Sequence, residues 1–117
     1  MYVQGFLIPV PEGRKEDYRR MAEAAAPIFR EYGATEIVEC WEADVTDGHT
    51  TDFRRAVKAE GGEKIVFSWI IWPDRETCDA GHARIMEDKR FEEMGEMPFD
   101  GRRMIWGGFD PIVTMGR

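Results

Sequence analysis

The sequence predicts an α+β domain, a four-stranded antiparallel sheet with two helices on one face. Three observations carry this. Strand-like and helix-like segments follow one another in the order β-α-β-β-α-β. The third strand, KIVFSWIIW at 64–72, is apolar on both faces, the mark of a strand covered on both sides. The 117 residues contain no linker, repeat or low-complexity tract, so residues 1–117 read as a single domain.

The first strand is YVQGFLIPV, rich in aromatic and β-branched residues and closed by Pro9 and Pro11. Turn residues at 11–13 lead into a helix over about 14–32. Its apolar side chains Tyr18, Met21, Ala22, Ala25, Ile28, Phe29 and Tyr32 form one stripe, and Gly33 ends it. Pro27 lies inside that stripe and predicts a bend. The second strand, about 35–45, contains IVECWEADV. One of its faces carries Ile37, Glu39, Trp41, Ala43 and Val45, which sets an acid beside a tryptophan. Residues 49–62 read either as two helical turns capped by Thr51 or Asp52, or as an extended excursion ended by Gly61-Gly62. After the third strand, Asp74 caps a second helix of about 15 residues with a stripe through Cys78, Gly81, His82, Ile85 and Met86. A short helical turn and a loop follow. The last strand, about 103–113, holds Gly107-Gly108, which signals a bulge or a close backbone approach.

This order is the ferredoxin-like pattern of two split βαβ units. Two helices shield only one face of the sheet. Aromatic residues such as Phe6, Trp41, Phe67, Trp69, Trp72 and Trp106 exceed what one covered face absorbs, and a second copy laid sheet to sheet is the expected cover. The expectation is a homodimer, with Glu39 in the covered space or at its rim.

The formal net charge of −7 argues against a phosphate backbone or an anionic membrane as partner. No stretch approaches the ~20 apolar residues of a membrane span. Two cysteines make no disulfide framework, and reduced thiols in the cytoplasm are the default.

YVQGFLIPVP, EYGATEIVECWEADV, TDFRRAVKAEGGEKIVFSWIIWP, DAGHARIMED and GEMPFDGRRMIWGGFDPIV together resemble the YbaA-like family of small bacterial proteins. The likeness covers nearly the whole chain. It implies a dimeric α/β-barrel, in which two sheets close across the dimer. Broader relatives of that fold include cofactor-free monooxygenases, haem enzymes of the chlorite dismutase type, muconolactone isomerase-like enzymes and plain binding proteins. The family supplies no agreed catalytic set, and a fold does not carry its function with it.

Glu39 and His82 are the candidate catalytic residues. Glu39 is either a carboxylate of raised pKa in a half-apolar pocket or the partner of Arg54, Arg55 or Arg103. His82, on an apolar stripe, is either a proton shuttle or a satisfied, half-buried side chain. Trp41, Trp69, Trp106 and Arg103 are the candidate ligand-binding residues; the tryptophans serve equally as core and dimer seam. The basic stretches DFRRAVKA and GRR read as an anion clamp or as plain surface charge. Cys40, Cys78 and His82 lack the paired short spacings of a zinc site, so no metal is expected. Haem has only His82 as an axial ligand, and no cofactor is expected. Phosphate-loop, dinucleotide and serine-hydrolase motifs are absent from the sequence.

The leading expectation is a homodimer that binds a small apolar or aromatic molecule in a cleft between sheet and helices. The alternative is a cofactor-independent oxygenase or isomerase using Glu39 or His82 as proton acceptor. RNA binding comes third, because the third strand lacks the basic-aromatic signature of an RNA-recognition module.

Overall fold

A computed structural model describes residues 1–116. Strand β1 (Tyr2–Pro11) leads through a 3-10 turn (Glu12–Arg14) into helix α1 (Lys15–Glu31). Strand β2 (Glu36–Trp41), a single-turn helix α2 (Phe53–Ala56) and strand β3 (Glu63–Trp72) follow. Helix α3 (Arg75–Ile85), the short α4 (Lys89–Glu93) and strand β4 (Ile105–Phe109) complete the chain. The four strands form one sheet in the order β2-β3-β1-β4, and every neighbouring pair is antiparallel.

Local chemistry sets the element ends. The Asp52, Asp74 and Asp88 side chains each accept a backbone N–H in the first turn of α2, α3 and α4. Asp52, rather than Thr51, is therefore the cap in the ambiguous 49–62 stretch, and it supports one helical turn instead of two. Helix α1 runs through Pro27 as one element and stops where Gly33 takes φ +113°. Strand β2 is shorter than the sequence pattern. Beyond Trp41 the Glu42 side chain turns back to accept the Ile65 N–H at 2.9 Å and pairs with Arg54, so Ala43 and Val45 leave the sheet. Strand β4 is also shorter than expected, ending two residues before Pro111, which has no N–H to donate. Its register with β1 runs unbroken through Gly107 and Gly108, so these glycines form no bulge. The close-approach reading holds instead, since a Cβ on Gly108 would lie 1.7 Å from the Tyr2 hydroxyl.

Residues directly opposite one another in the ladder share a face. The register places Gln4, Phe6, Ile8 and Val10 of β1 beside Ile70, Ser68, Val66 and Lys64 of β3. That face carries the helices. Ile70 and Trp72 pack with Ala34, Cys78 and Ile85, while Ile8, Val10 and Val66 pack with Tyr18 of α1. Trp72 is completely buried. The opposite face presents Leu7, Phe67, Trp69, Ile105 and Phe109, with Phe53 of α2 beside Phe67 at a ring separation of 6.3 Å.

The register also corrects one expectation. Ile37, Glu39 and Trp41 lie opposite Ile70, Ser68 and Val66, so they look toward the helices and not into the space a second sheet would cover. Phe6, Trp72 and Trp106 lie on that same face. The uncovered face is apolar, but it is made by a different set of residues from the one the sequence suggested.

Candidate functional site

A cleft of about 360 Å³ opens between α1 and the edge strand β2. The stripe of α1 supplies Tyr18, Ala22 and Ala26, and alternate residues of β2 supply Ile37, Glu39 and Trp41. Val66 forms the floor, and Lys15 lies 5.6 Å from the centre of the Trp41 ring. Arg19 and Glu23 of α1 line it as well, and Glu39 is the acid that the sheet contributes, set between Ile37 and Trp41.

Among the described residues, no arginine pairs with Glu39. Arg54 pairs with Glu42, Arg55 with Asp52, and Arg103 with Glu63, so the expected ion pair is replaced by another arrangement. Tyr18 Oη donates to Glu39 Oε1 at 2.7 Å, and Ser68 lies directly opposite Glu39 on the neighbouring strand, where its hydroxyl favours the ionised carboxylate. Tyr18 and Ser68 are both buried, at 4% and 3% exposure. Glu39 itself is open to solvent through the mouth of the cleft. Its apolar surroundings nevertheless raise the carboxyl pKa; desolvation is the largest cause, and the two hydroxyl donors oppose it. Tyr18 is pushed above the ordinary phenol range, first by burial and then by the adjacent carboxylate. It therefore stays a neutral donor. A carboxylate has about four acceptor positions, so two hydroxyls leave room for a third donor from the cleft. The arrangement can accept a hydrogen bond, or a proton, from an apolar molecule seated against Trp41.

His82 lies elsewhere. It lines a different cleft, between α3 and strands β1 and β4, together with Trp106. The sequence suggested one cleft shared by Glu39, Trp41 and His82; the structure separates them to opposite edges of the sheet. Trp69 points to the uncovered face, where its Nε1 donates to Glu36 at 2.9 Å. Arg103 is engaged by Glu63 through two contacts of 2.6 Å, by Asp100 at 3.1 Å and by the Lys58 carbonyl at 3.0 Å. It ties the 58–63 turn to the 100–103 turn and lines neither cleft, which corrects its placement among ligand-binding residues. Cys40 and Cys78 are both free, and burial pushes the Cys78 thiol up to about 11. Among the described residues, no group of three or more His, Cys, Asp or Glu side chains is placed to hold a metal ion.

Sequence reasoning missed two polar residues that shape these clefts, Tyr18 and Gln4. Each left a signal: Tyr18 is the one hydroxyl near the start of an otherwise apolar helix stripe, and Gln4 is a lone amide inside an apolar strand.

The sheet and helices define a small α+β protein with clefts on its helix-bearing face. The chain belongs to the family described as "Protein of unknown function (DUF1428)", whose model matches residues 1–101. It is 57% identical over 113 residues to the uncharacterized protein YbaA of Escherichia coli K12, covering 96% of this chain and 97% of that protein. YbaA of Shigella flexneri gives the same figures. Among solved structures, protein Atu4242 from Agrobacterium tumefaciens aligns with a TM-score of 0.57 at 12% identity, covering 95% of this chain and 93% of that one. An uncharacterized NIPSNAP domain protein from Burkholderia xenovorans aligns over the full length of both chains, with a TM-score of 0.54 at 12% identity. At such identities these likenesses show a shared fold. Among the described residues, no helix is long and apolar enough to cross a membrane.

Proposed function

We propose that the chain binds a small apolar or aromatic molecule carrying one acidic hydrogen in the cleft between α1 and β2, with Glu39 as the acceptor of that hydrogen. One observation carries the reading. Glu39 stands on the sheet wall of the cleft, bonded to the buried Tyr18 hydroxyl and open to an incoming donor, beside the flat ring of Trp41. Trp41 supplies a flat apolar surface for the ligand's body.

A second reading follows from the raised pKa. A carboxylate moved toward neutrality is a better general base than a surface one. If the ligand's hydrogen is on carbon beside a carbonyl, Glu39 removes it as a proton and the electron pair stays on the ligand as an enolate. Returning the proton to another carbon is an isomerisation; passing the electrons to dioxygen is an oxygenation. This is cofactor-independent enzyme chemistry.

The same reading takes the protein to be a ferredoxin-like subunit of a homodimeric barrel. Phe53, Phe67, Ile105 and Phe109 are 42–61% exposed on the face opposite the helices. With a net charge of −7 two copies repel over most of their surface, but this patch is uncharged at its centre. An identical sheet is the occupant that meets no charge penalty there. The two free thiols suit the cytoplasm.

The function is tested by thermal-shift screening of small phenols and enolisable ketones against the native chain and Glu39→Gln. Binding should stabilise the native chain and be lost in Glu39→Gln, whose own melting temperature is maintained. A panel without a stabilising compound, or compounds that stabilise both proteins alike, would remove the proposal.

A further inference from the structure

The second cleft, of about 750 Å³ and larger than the first, lies at the β4 edge of the same sheet face. Gln4, Cys78 and His82 form its inner wall, and Tyr2, Met104 and Trp106 form its outer wall. Its hydrogen-bond chemistry fixes the state of the histidine. Trp72 Nε1 only donates, so the Gln4 atom 2.8 Å from it must be the carbonyl oxygen. His82 Nε2 lies 2.9 Å from that same oxygen. Two groups meeting one acceptor must both donate, so Nε2 carries a hydrogen. Burial is the main influence on the imidazole and lowers its pKa, which keeps the ring neutral. A neutral imidazole with its hydrogen on Nε2 has a free electron pair on Nδ1, and no hydrogen bond among the described residues occupies that atom. Ring contacts with Phe29 at 6.1 Å and Trp72 at 5.7 Å hold its plane.

The outer wall is built with similar care. The Tyr2 ring crosses β4 where only a glycine at 108 admits it. Trp106 is 68% exposed at the mouth, an expensive place for a tryptophan that has nothing to cover. The charges at the cleft are Arg75 and Asp79, which pair with each other at 3.6 Å, and Asp110. No net positive charge is available to hold an anion, so the cleft suits a neutral ligand.

We infer that this cleft is a second binding site, independent of Glu39, for a small neutral phenol or enol whose O–H is donated to His82 Nδ1 and whose ring lies against Trp106. It does not depend on the first site being a binding site. The paired Arg75 and Asp79 leave the ligand's ring as its main source of affinity, with the single hydrogen bond setting its orientation.

Nitrogen NMR of the histidine side chains tests this, with 4-nitrophenol as the probe below its own pKa. The chain has two histidines, and His49, in the polar turn before α2, serves as the internal reference. The free protein should show His82 with a hydrogen on Nε2 and none on Nδ1. Adding the probe should move the His82 Nδ1 resonance and leave that of His49 in place, in the native chain and in Glu39→Gln alike. In Trp106→Ala, whose substituted side chain is exposed and makes little of the core, the apparent affinity should fall at least about tenfold, the loss expected from removing one stacked ring. A hydrogen on Nδ1 in the free protein overturns the proposal. So does a Nδ1 resonance unmoved by the probe, a response abolished by Glu39→Gln, or an affinity unchanged in Trp106→Ala.

Discussion

Replacing Tyr18 with phenylalanine removes one oxygen and almost no volume, so its cost isolates the hydrogen bond to Glu39. The hydroxyl belongs to a residue 4% exposed and lies 2.7 Å from a carboxylate oxygen. Hydrogen bonds to a charged group contribute about 1.5–3 kcal/mol. Glu39 reaches solvent through the cleft, which places the loss at the lower end, about 1.5 kcal/mol. Unfolding entropy of about 2.1 cal/mol/K per residue gives about 0.25 kcal/mol/K for 117 residues, so the melting temperature should fall by about 6 °C at pH 7. The pH dependence identifies the cause. Burial has raised the Glu39 pKa above 4.5, and Tyr18 works against that rise. Losing Tyr18 raises it further. An acid with a raised folded-state pKa contributes its stability below the unfolded value and loses it as pH rises through the folded one. The cost of Tyr18→Phe should therefore be small near pH 4 and grow toward pH 7. Urea melts of both proteins at the two pH values measure this. An equal cost at pH 4 and pH 7, or no cost at either, would show that the Tyr18 hydroxyl does not stabilise ionised Glu39.

Two further predictions concern the packing. A Cβ on Gly81 would lie 2.8 Å and 3.0 Å from two atoms of the Trp72 ring and 3.1 Å from the Tyr32 carbonyl oxygen. Overpacking of about 1–3 kcal/mol against a fully buried ring should outweigh the ~1 kcal/mol that alanine gains over glycine in a helix. Gly81→Ala should be destabilised in chemical denaturation, and a stabilised variant would mean that Trp72 has room to move. On the opposite face, Phe67→Glu should convert a two-copy species in sedimentation to a single subunit of unchanged circular dichroism; a native chain that already sediments as one subunit would end the dimer reading.

The order of elements was legible because each strand and helix carries its own periodicity, and the three helix starts after β2 are each announced by an aspartate. The sheet face to which a side chain belongs was less legible. Parity along β2 correctly grouped Ile37, Glu39 and Trp41, but parity is blind to which group meets the helices. That depends on the register against β3, which is set by tertiary pairing. The partner of Glu39 was hidden for the same reason. Arginine is the usual partner for an acid set among apolar residues, and the actual donor, Tyr18, lies 21 residues earlier, on a helix that reaches Glu39 only once α1 has packed across the sheet. Strand lengths were overestimated where a side chain, that of Glu42, took over the backbone's hydrogen bond.

The two central strands give the strongest reason to regard both clefts as functional. On their helix-bearing face the buried positions are apolar except for Gln4 and Ser68, which are 8% and 3% exposed. An apolar residue in place of Ser68 would spare the chain the cost of desolvating a hydroxyl, whereas Gln4 is also the acceptor that the buried Trp72 Nε1–H requires. Each also faces one titratable side chain. Ser68 lies opposite Glu39 at the β2-edge cleft, and Gln4 accepts from His82 Nε2 in the β4-edge cleft. The donor pattern is opposite in the two places. Hydroxyls hold Glu39 as an acceptor, while an amide oxygen fixes the hydrogen on His82 Nε2 and leaves Nδ1 bare. A chain that must present a proton acceptor at each edge of one sheet needs both, and needs them on the central strands, where neighbours on either side hold them still.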